Sequence, residues 1–271
     1  MAQKLPAMAQ AAKILREARR VVVFSGAGAS AESGIPTFRD CGGLWHRFPA
    51  EQFATPHGFL AIASRNPKRA AEFVLALLEP IAAAEPNDGH RAIAALEQHA
   101  QVTVVTQNID GLHQAAGSTA VQEVHGSVFN LVTSGGEPAG AVSRDEMRQV
   151  VLELREAIEP RFDAVAAMKA VRPILSFDST GVRRPNIVLF GEAMAEPAWG
   201  QACAAVDACD CLLAVGTSGA VFPAAMLPEQ AKSAGAELIA VGPERSGSSD
   251  VWLPGTAARM LPMLMSAAFG K

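Results

Sequence analysis

The chain has 271 residues, a formal net charge of -4 and 49% hydrophobic residues, enough for one large α/β domain with a smaller module inserted in it. Its apolar runs stay far below the roughly 18 residues of a membrane span, and no long basic block invites nucleic acid. The four cysteines, Cys41, Cys203, Cys209 and Cys211, make no C-x-x-C pair; they read as structural thiols and fit a reducing, cytoplasmic compartment.

The first twenty residues carry Lys13, Arg16, Glu17, Arg19 and Arg20 where a secretory signal would be apolar, so they are expected to form the first helix. A buried parallel strand, "RVVVFSG" from Arg20, follows and leads into Gly26-Ala27-Gly28-Ala29-Ser30-Ala31. That is the permissive G-x-G-x-x-G/A pattern, whose glycines let backbone approach a pyrophosphate at a helix N-terminus, although a plain tight turn has the same composition. Gly34-Ile35-Pro36 ends the helix within about two turns. A dehydrogenase would continue with a second strand and an acid about 20 residues on. Glu51 stands near that distance but follows "LWHRFPA", which is no strand, so hydride transfer is disfavoured.

Residues 41–88 are too long for an ordinary loop and include a helical run; a helix is expected over 89–100. The next strand, "QVTVVTQN" from Gln101, opens into "TQNIDGLHQAAG". Gln107, Asn108 and Asp110 bring two amides and a carboxylate to the strand's C-terminal end with no cation between them, a set suited to a neutral amide or a sugar. The same residues could form a polar turn that caps a helix. His113 falls in the first turn of that helix and is assigned a structural role. His125, in "VQEVHGS", follows a β-branched run and precedes a glycine, which suits a base beside a ligand; a lone histidine can also be structural.

Residues 128–184 hold two helical patterns, "SRDEMRQVVLELREAIEP" and "RFDAVAAMKAV", read as a small helical module. Three more buried parallel strands are expected: "NIVLFGE" from Asn186, "CLLAVGTS" from Cys211 and "ELIAVGP" from Glu237, with a helix over 197–209. Alternating strands and helices imply an α/β, Rossmann-like doubly wound parallel sheet carrying a smaller inserted helical module.

Taken in order, "GAGASAESGIPTFR", "TQNIDGLHQAAG", "VHGS", "PNIVLFGE" and "VGTSGAVFPAA" resemble the sirtuin family of NAD-dependent protein deacylases, over roughly residues 10–127 and 184–265. The resemblance implies an NAD-binding domain from 1–127 and 184–271, a cofactor-binding loop and helical insertion at 41–88, and a small module at 128–183. It implies NAD contacts at Gly26, Ala27, Gly28, Ala29, Phe38, Arg39, Gln107, Ile109, Gly216, Thr217 and Ser218. Trp45 would belong to a moving cover. Asp110 would hold the nicotinamide carboxamide, Asn108 would position ribose and water, and His125 would serve as the base. Val188, Phe190, Gly191 and Glu192 would flank an extended acyl-lysine peptide on one side and Val221 and Phe222 on the other. The implied reaction transfers an acyl group from lysine to ADP-ribose and releases nicotinamide; ADP-ribosyl transfer, NAD hydrolysis or mere sensing of the nucleotide are the alternatives.

The chain departs from the family in three ways. Most sirtuins bind a structural zinc through four cysteines between "HG" and "FGE", whereas residues 126–184 here contain no Cys and no His, so metal-free folding is expected. Val241-Gly242 stands where an Asn commonly contacts the adenosine ribose. A Tyr-x-x-Arg pair selects acidic acyl groups in some members; this chain has no Tyr and is apolar around Phe73-Val74, which favours neutral acyl groups.

Overall fold

The structure is a computed structural model that describes residues 6–37, 43–178, 181–245, 247 and 249–270. Its strands are β1 (Arg20–Ser25), β2 (Gln101–Thr106), β3 (Val121–Glu123), β4 (Gly126–Thr133), β5 (Pro138–Ala141), β6 (Ser176–Asp178), β7 (Gly181–Ile187), β8 (Cys211–Val215), β9 (Glu237–Gly242) and β10 (Val251–Pro254). Its helices are α1 (Ala7–Glu17), α2 (Leu44–Arg47), α3 (Ala50–Phe53), α4 (Pro56–Arg65), α5 (Pro67–Ala83), α6 (Asp88–Leu96), α7 (Leu112–Ala115), α8 (Arg144–Ile158), α9 (Ala164–Val171), α10 (Ala198–Ala208), α11 (Leu227–Ser233) and α12 (Ala257–Phe269).

The larger sheet is parallel, in the order β10-β9-β8-β1-β2-β3. Its strands are apolar on both faces because helices cover both. In β1, Val21 and Val23 pack with α1, α6 and α12, while Val22 and Phe24 pack with α10 and α11. Strand order reverses between β1 and β8, and ligands of open α/β sheets bind in the crevice beyond such a reversal.

The smaller sheet is antiparallel, in the order β5-β4-β7-β6, and it shares an apolar core with α5, α8 and α9. Two expectations are corrected here. The module at 128–184 has the two helices read from its sequence, but it is built on a sheet. The "NIVLFGE" run is no strand of the parallel sheet: Asn186 and Ile187 finish β7, and the chain then turns. A short apolar run cannot reveal which sheet it will join.

The turn after β1 differs as well. Two single 3-10 turns, Ala27–Ala29 and Ala31–Ser33, replace the expected α-helix and stop at Gly34, whose φ of +87° only glycine adopts readily. Asn87 fixes this irregular path: its Nδ2 donates to the Ala29 carbonyl (2.9 Å) and to Ser33 Oγ (3.0 Å).

Candidate active site

The residues after β1, β2 and β8 meet at the strand-order reversal. A Cβ on Gly28 would stand 2.8 Å from Gly216 Cα, and one on Gly26 would stand 2.9 Å from the Gly216 carbonyl. Gly216 itself has φ +57°, and its own Cβ would meet Ala29 N at 2.3 Å. These three glycines are therefore required first by the packing of two turns against each other. The Gly26 and Gly28 N–H groups donate to the carbonyls of Val215 (3.0 Å) and Gly216 (2.9 Å), so both serve that packing.

Beyond it lies a buried polar network. Ser30 Oγ donates to Asp110 Oδ2 (2.7 Å), and the Leu112 N–H donates to Asp110 Oδ1 (2.9 Å). Asn108 Nδ2 donates to the Gly26 carbonyl (3.0 Å) and to Ser30 Oγ (3.1 Å), and among the described residues its side-chain carbonyl oxygen keeps its acceptor capacity. Asp110 is 3% exposed, and two of its roughly four lone-pair sites are used inside the protein. Gln107 Nε2 reaches across β1 to Thr217 Oγ1 (3.0 Å), tying the edge of β2 to that of β8.

His125 sits in the tight turn between β3 and β4. The Gln107 carbonyl can only accept, so the His125 Nδ1 at 3.0 Å must carry the proton, and Nε2 keeps the free lone pair. Burial lowers its pKa below 6.5 more strongly than the Gln107 bond raises it, which leaves the ring neutral at neutral pH. The next residue, Gly126, has φ +75°, and a Cβ there would fall 1.7 Å from the Asn186 carbonyl. No other residue type fits that position.

Two members of this cluster, His90 and Glu123, do not stand out in the sequence. His90 is buried in the first turn of α6. Its Nδ1 accepts from the Asn87 N–H (3.3 Å), its Nε2 faces Ser30 Oγ at 3.5 Å, and its ring meets His113 edge-on at 4.9 Å. His113 bonds Ser25 Oγ (2.8 Å), and Ser25 Oγ in turn donates to Thr106 Oγ1 (2.8 Å); burial and the neighbouring His90 depress its pKa to about 3. The structural role assigned to His113 agrees with this burial. Glu123, opposite Thr106 in the sheet, has one carboxyl oxygen buried without a partner among the described residues; burial, chiefly, raises its pKa to about 7. For His90, the sequence signal is the Asn87 cap before an amphipathic helix, which places it on the helix's buried face.

The remaining site residues stand in several settings. Ile109 is buried beside the small module, and Ser218 is exposed past Thr217. Phe38 and Arg39 lie outside the described residues. Val188, Leu189 and Phe190 do not run as a free strand edge, since their N–H groups donate to the His125 carbonyl, Glu192 Oε2 and the Ala54 carbonyl. Glu192 also pairs with Arg184 at 2.8 Å, so its carboxylate braces this turn and Gly191 lies within it. Phe190 and Phe222 are 45% and 72% exposed, and Val221 lies beside Phe222. Trp45 packs between Phe190 (6.5 Å) and Phe73 (6.4 Å), over an aromatic cluster that includes Phe48, Phe53 and Phe59. The Val241 side chain is buried in the main core, so it does not face a nucleotide. The small module offers no thiolate or imidazole donors, and no group of three or more potential metal ligands occurs among the described residues. No described helix is long and apolar enough to cross a membrane.

Residues 26–223 match the Sir2 family. An NAD-dependent protein deacylase from Desulfosudis oleivorans is 40% identical over 263 residues, 96% of this chain and 94% of that protein. The fold superposes on a Sir2 homologue solved with NAD with a TM-score of 0.75 (29% identity, 96% of this chain and 93% of that one). It superposes on Sir2Af2, solved with a myristoylated histone peptide, with a TM-score of 0.69 (32% identity, 97% and 96% of the two chains). The chain belongs to the Sir2 family.

Proposed function

We propose that this chain is an NAD-dependent protein lysine deacylase that moves an acyl group from lysine to ADP-ribose and releases nicotinamide. The observation that carries the reading is His125, a neutral imidazole whose Nε2 lone pair is kept available by the bond from Nδ1 to Gln107, on the same sheet edge as Asn108 and Asp110. The residues present fit NAD: glycines pack two turns closely at the strand-order reversal, and a buried carboxylate and amide keep acceptor capacity beside them.

NAD, when bound, would supply a glycosidic bond that can break with its electron pair leaving on nicotinamide, opening the anomeric carbon to the acyl oxygen of the lysine. Asp110 accepts from the carboxamide NH₂ and holds it. Asn108 orients a ribose hydroxyl or water through its free carbonyl oxygen. His125 Nε2 would take the proton of a ribose hydroxyl as that oxygen bonds to the acyl carbon, after which the acyl C–N bond breaks, the lysine amine leaves with a proton and water supplies the remaining oxygen; general-base help of this kind contributes about 10²–10⁴-fold. Turns 26–29 and 216–218 line the phosphate and adenosine side, with Gln107 and Ile109 near the sugar. By the resemblance to sirtuins, Phe38 and Arg39 would shield and orient the ribose and the leaving group.

The acylated protein would enter between the 188–192 turn and Val221–Phe222, where Phe190 and Phe222 are both exposed. Phe73, Val74 and Trp45 favour a neutral acyl group over an acidic one. Cys203, Cys209 and Cys211 are free thiols, in keeping with a reducing, cytoplasmic setting.

The test is nicotinamide release from NAD, with and without a panel of acyl-lysine peptides, followed by peptide mass. Peptide-dependent release, loss of the acyl mass and loss of turnover in His125→Ala are expected. Release without peptide, or a peptide that gains ADP-ribose, would overturn deacylation in favour of hydrolysis or ADP-ribosyl transfer.

A further inference from the structure

Arg144 opens α8, directly after the cap residue Ser143. A cation in a helix's first turn opposes the helix dipole, so its place there needs another reason. The guanidinium leaves the small module and bridges three elements. Nη2 donates to the Asp110 carbonyl at 2.7 Å; Nη1 donates to the Ile81 carbonyl at the end of α5 and lies 3.4 Å from that of Ala84. Its plane sits over the Phe129 ring of β4, 4.8 Å from the centroid.

The bond to Asp110 falls at a sensitive point. The peptide that Arg144 holds joins Asp110 to Gly111, which has φ +65°. Glycine takes either sign of φ at little cost, so this peptide plane could rotate if its carbonyl were released. The preceding carbonyl, that of Ile109, accepts from the Val128 N–H at 3.1 Å, again from β4. The small module thus grips two successive carbonyls of the turn that carries Asp110. Burial lowers the Arg144 pKa, and the negative charges of Asp110 and Glu85 work against that loss.

We propose that Arg144 is a positioning residue for the reaction: it locks the Asp110–Gly111 peptide and thereby sets the aim of the Asp110 carboxylate at the nicotinamide carboxamide. The inference rests on the assignment of Asp110 made above. The small module then acts on catalysis through one side chain as well as through its packing.

The test compares Arg144→Met, Arg144→Lys, Asp110→Asn and the Arg144→Met/Asp110→Asn double variant in the full chain. For each, thermal midpoint, kcat, KM for NAD and acyl peptide, and inhibition by added nicotinamide are measured. Misaiming a positioned group by about 1 Å costs on the order of 10²-fold. Arg144→Met is expected to lose about that much in kcat/KM for NAD and to weaken nicotinamide inhibition, with peptide KM little changed. Arg144→Lys keeps the charge and can reach one carbonyl, so it should recover part of the loss and fold if Met does not. In the Asp110→Asn background the Met change should add little. An equal loss in both backgrounds, or a lowered midpoint with unchanged nicotinamide inhibition, would make Arg144 a brace of the fold only. If Asp110→Asn alone leaves NAD kinetics and nicotinamide inhibition unchanged, the assignment of Asp110 falls, and this inference falls with it.

Discussion

Glu123→Gln isolates the energetic cost of a buried carboxyl at the end of β3, opposite Thr106. Burial, chiefly, lifts the Glu123 pKa from 4.5 to about 7, with the negative charge of Asp110 adding a smaller push and hydrogen bonds from Gln114 and Ser127 pulling the other way. One oxygen has no partner among the described residues. At about 1.4 kcal/mol for each tenfold in proton affinity, the rise is a penalty of about 3 kcal/mol on the folded state once the group ionises. Because the folded pKa lies above the unfolded one, this stability is fully present below about pH 4.5 and is lost as pH rises through 7. Glutamine has nearly the same shape and no proton to lose. Urea unfolding followed by tryptophan fluorescence at pH 4.5 and pH 8.5 should show Glu123→Gln gaining up to about 3 kcal/mol on the parent between the two conditions. The protonation of His113 affects both proteins alike and cancels in the comparison. A difference that stays constant with pH would refute a raised Glu123 pKa, and a Gln variant weaker at pH 8.5 would show the ionised carboxylate to be favourably held.

Three further outcomes follow from the same geometry. His125 has a pKa below 6.5, so kcat/KM should fall on acidification with a midpoint under 6.5 and stay level through neutrality; an acid limb centred above pH 7 would remove His125 as the titrating base. Gly126→Ala puts a Cβ 1.7 Å from the Asn186 carbonyl at φ +75°, and should cost activity and several degrees of thermal midpoint; parent-like values in both would contradict the close approach of β4 and β7. Ser30→Ala strips a donor from Asp110 and an acceptor from Asn108, a loss of about 1–3 kcal/mol, which should raise KM for NAD and lower the thermal midpoint; an unchanged variant would mean that these side chains find other partners.

What could be read from the sequence was whatever depends on short-range pattern. β1, β2, β8 and β9 are β-branched or aliphatic runs buried on both faces, and α8 announces itself by a Ser143–Glu146 capping box before an apolar stripe. β3 and β10 span three and four residues, too few to stand out. β4 gave no helix signal, yet it lay in a stretch dominated by two good helices, and so its sheet was missed. At the site, His125, Asn108 and Asp110 were visible because they sit directly after strands. Ser30 and His90 were not, because their roles depend on partners 60 to 80 positions away.

His125 also stands where the two sheets join. β3 ends the parallel sheet at Glu123, His125 occupies the turn, and β4 begins the antiparallel sheet at Gly126. Its ring is fixed from the parallel side by the Gln107 carbonyl, and its backbone from the other side by the Val188 N–H at 3.0 Å. The chain then passes from Val188 to Phe190, whose N–H bonds the Ala54 carbonyl beside the aromatic cluster under Trp45. One short hydrogen-bonded path therefore links His125, Phe190 and Ala54, which lies beside the aromatic cluster under Trp45.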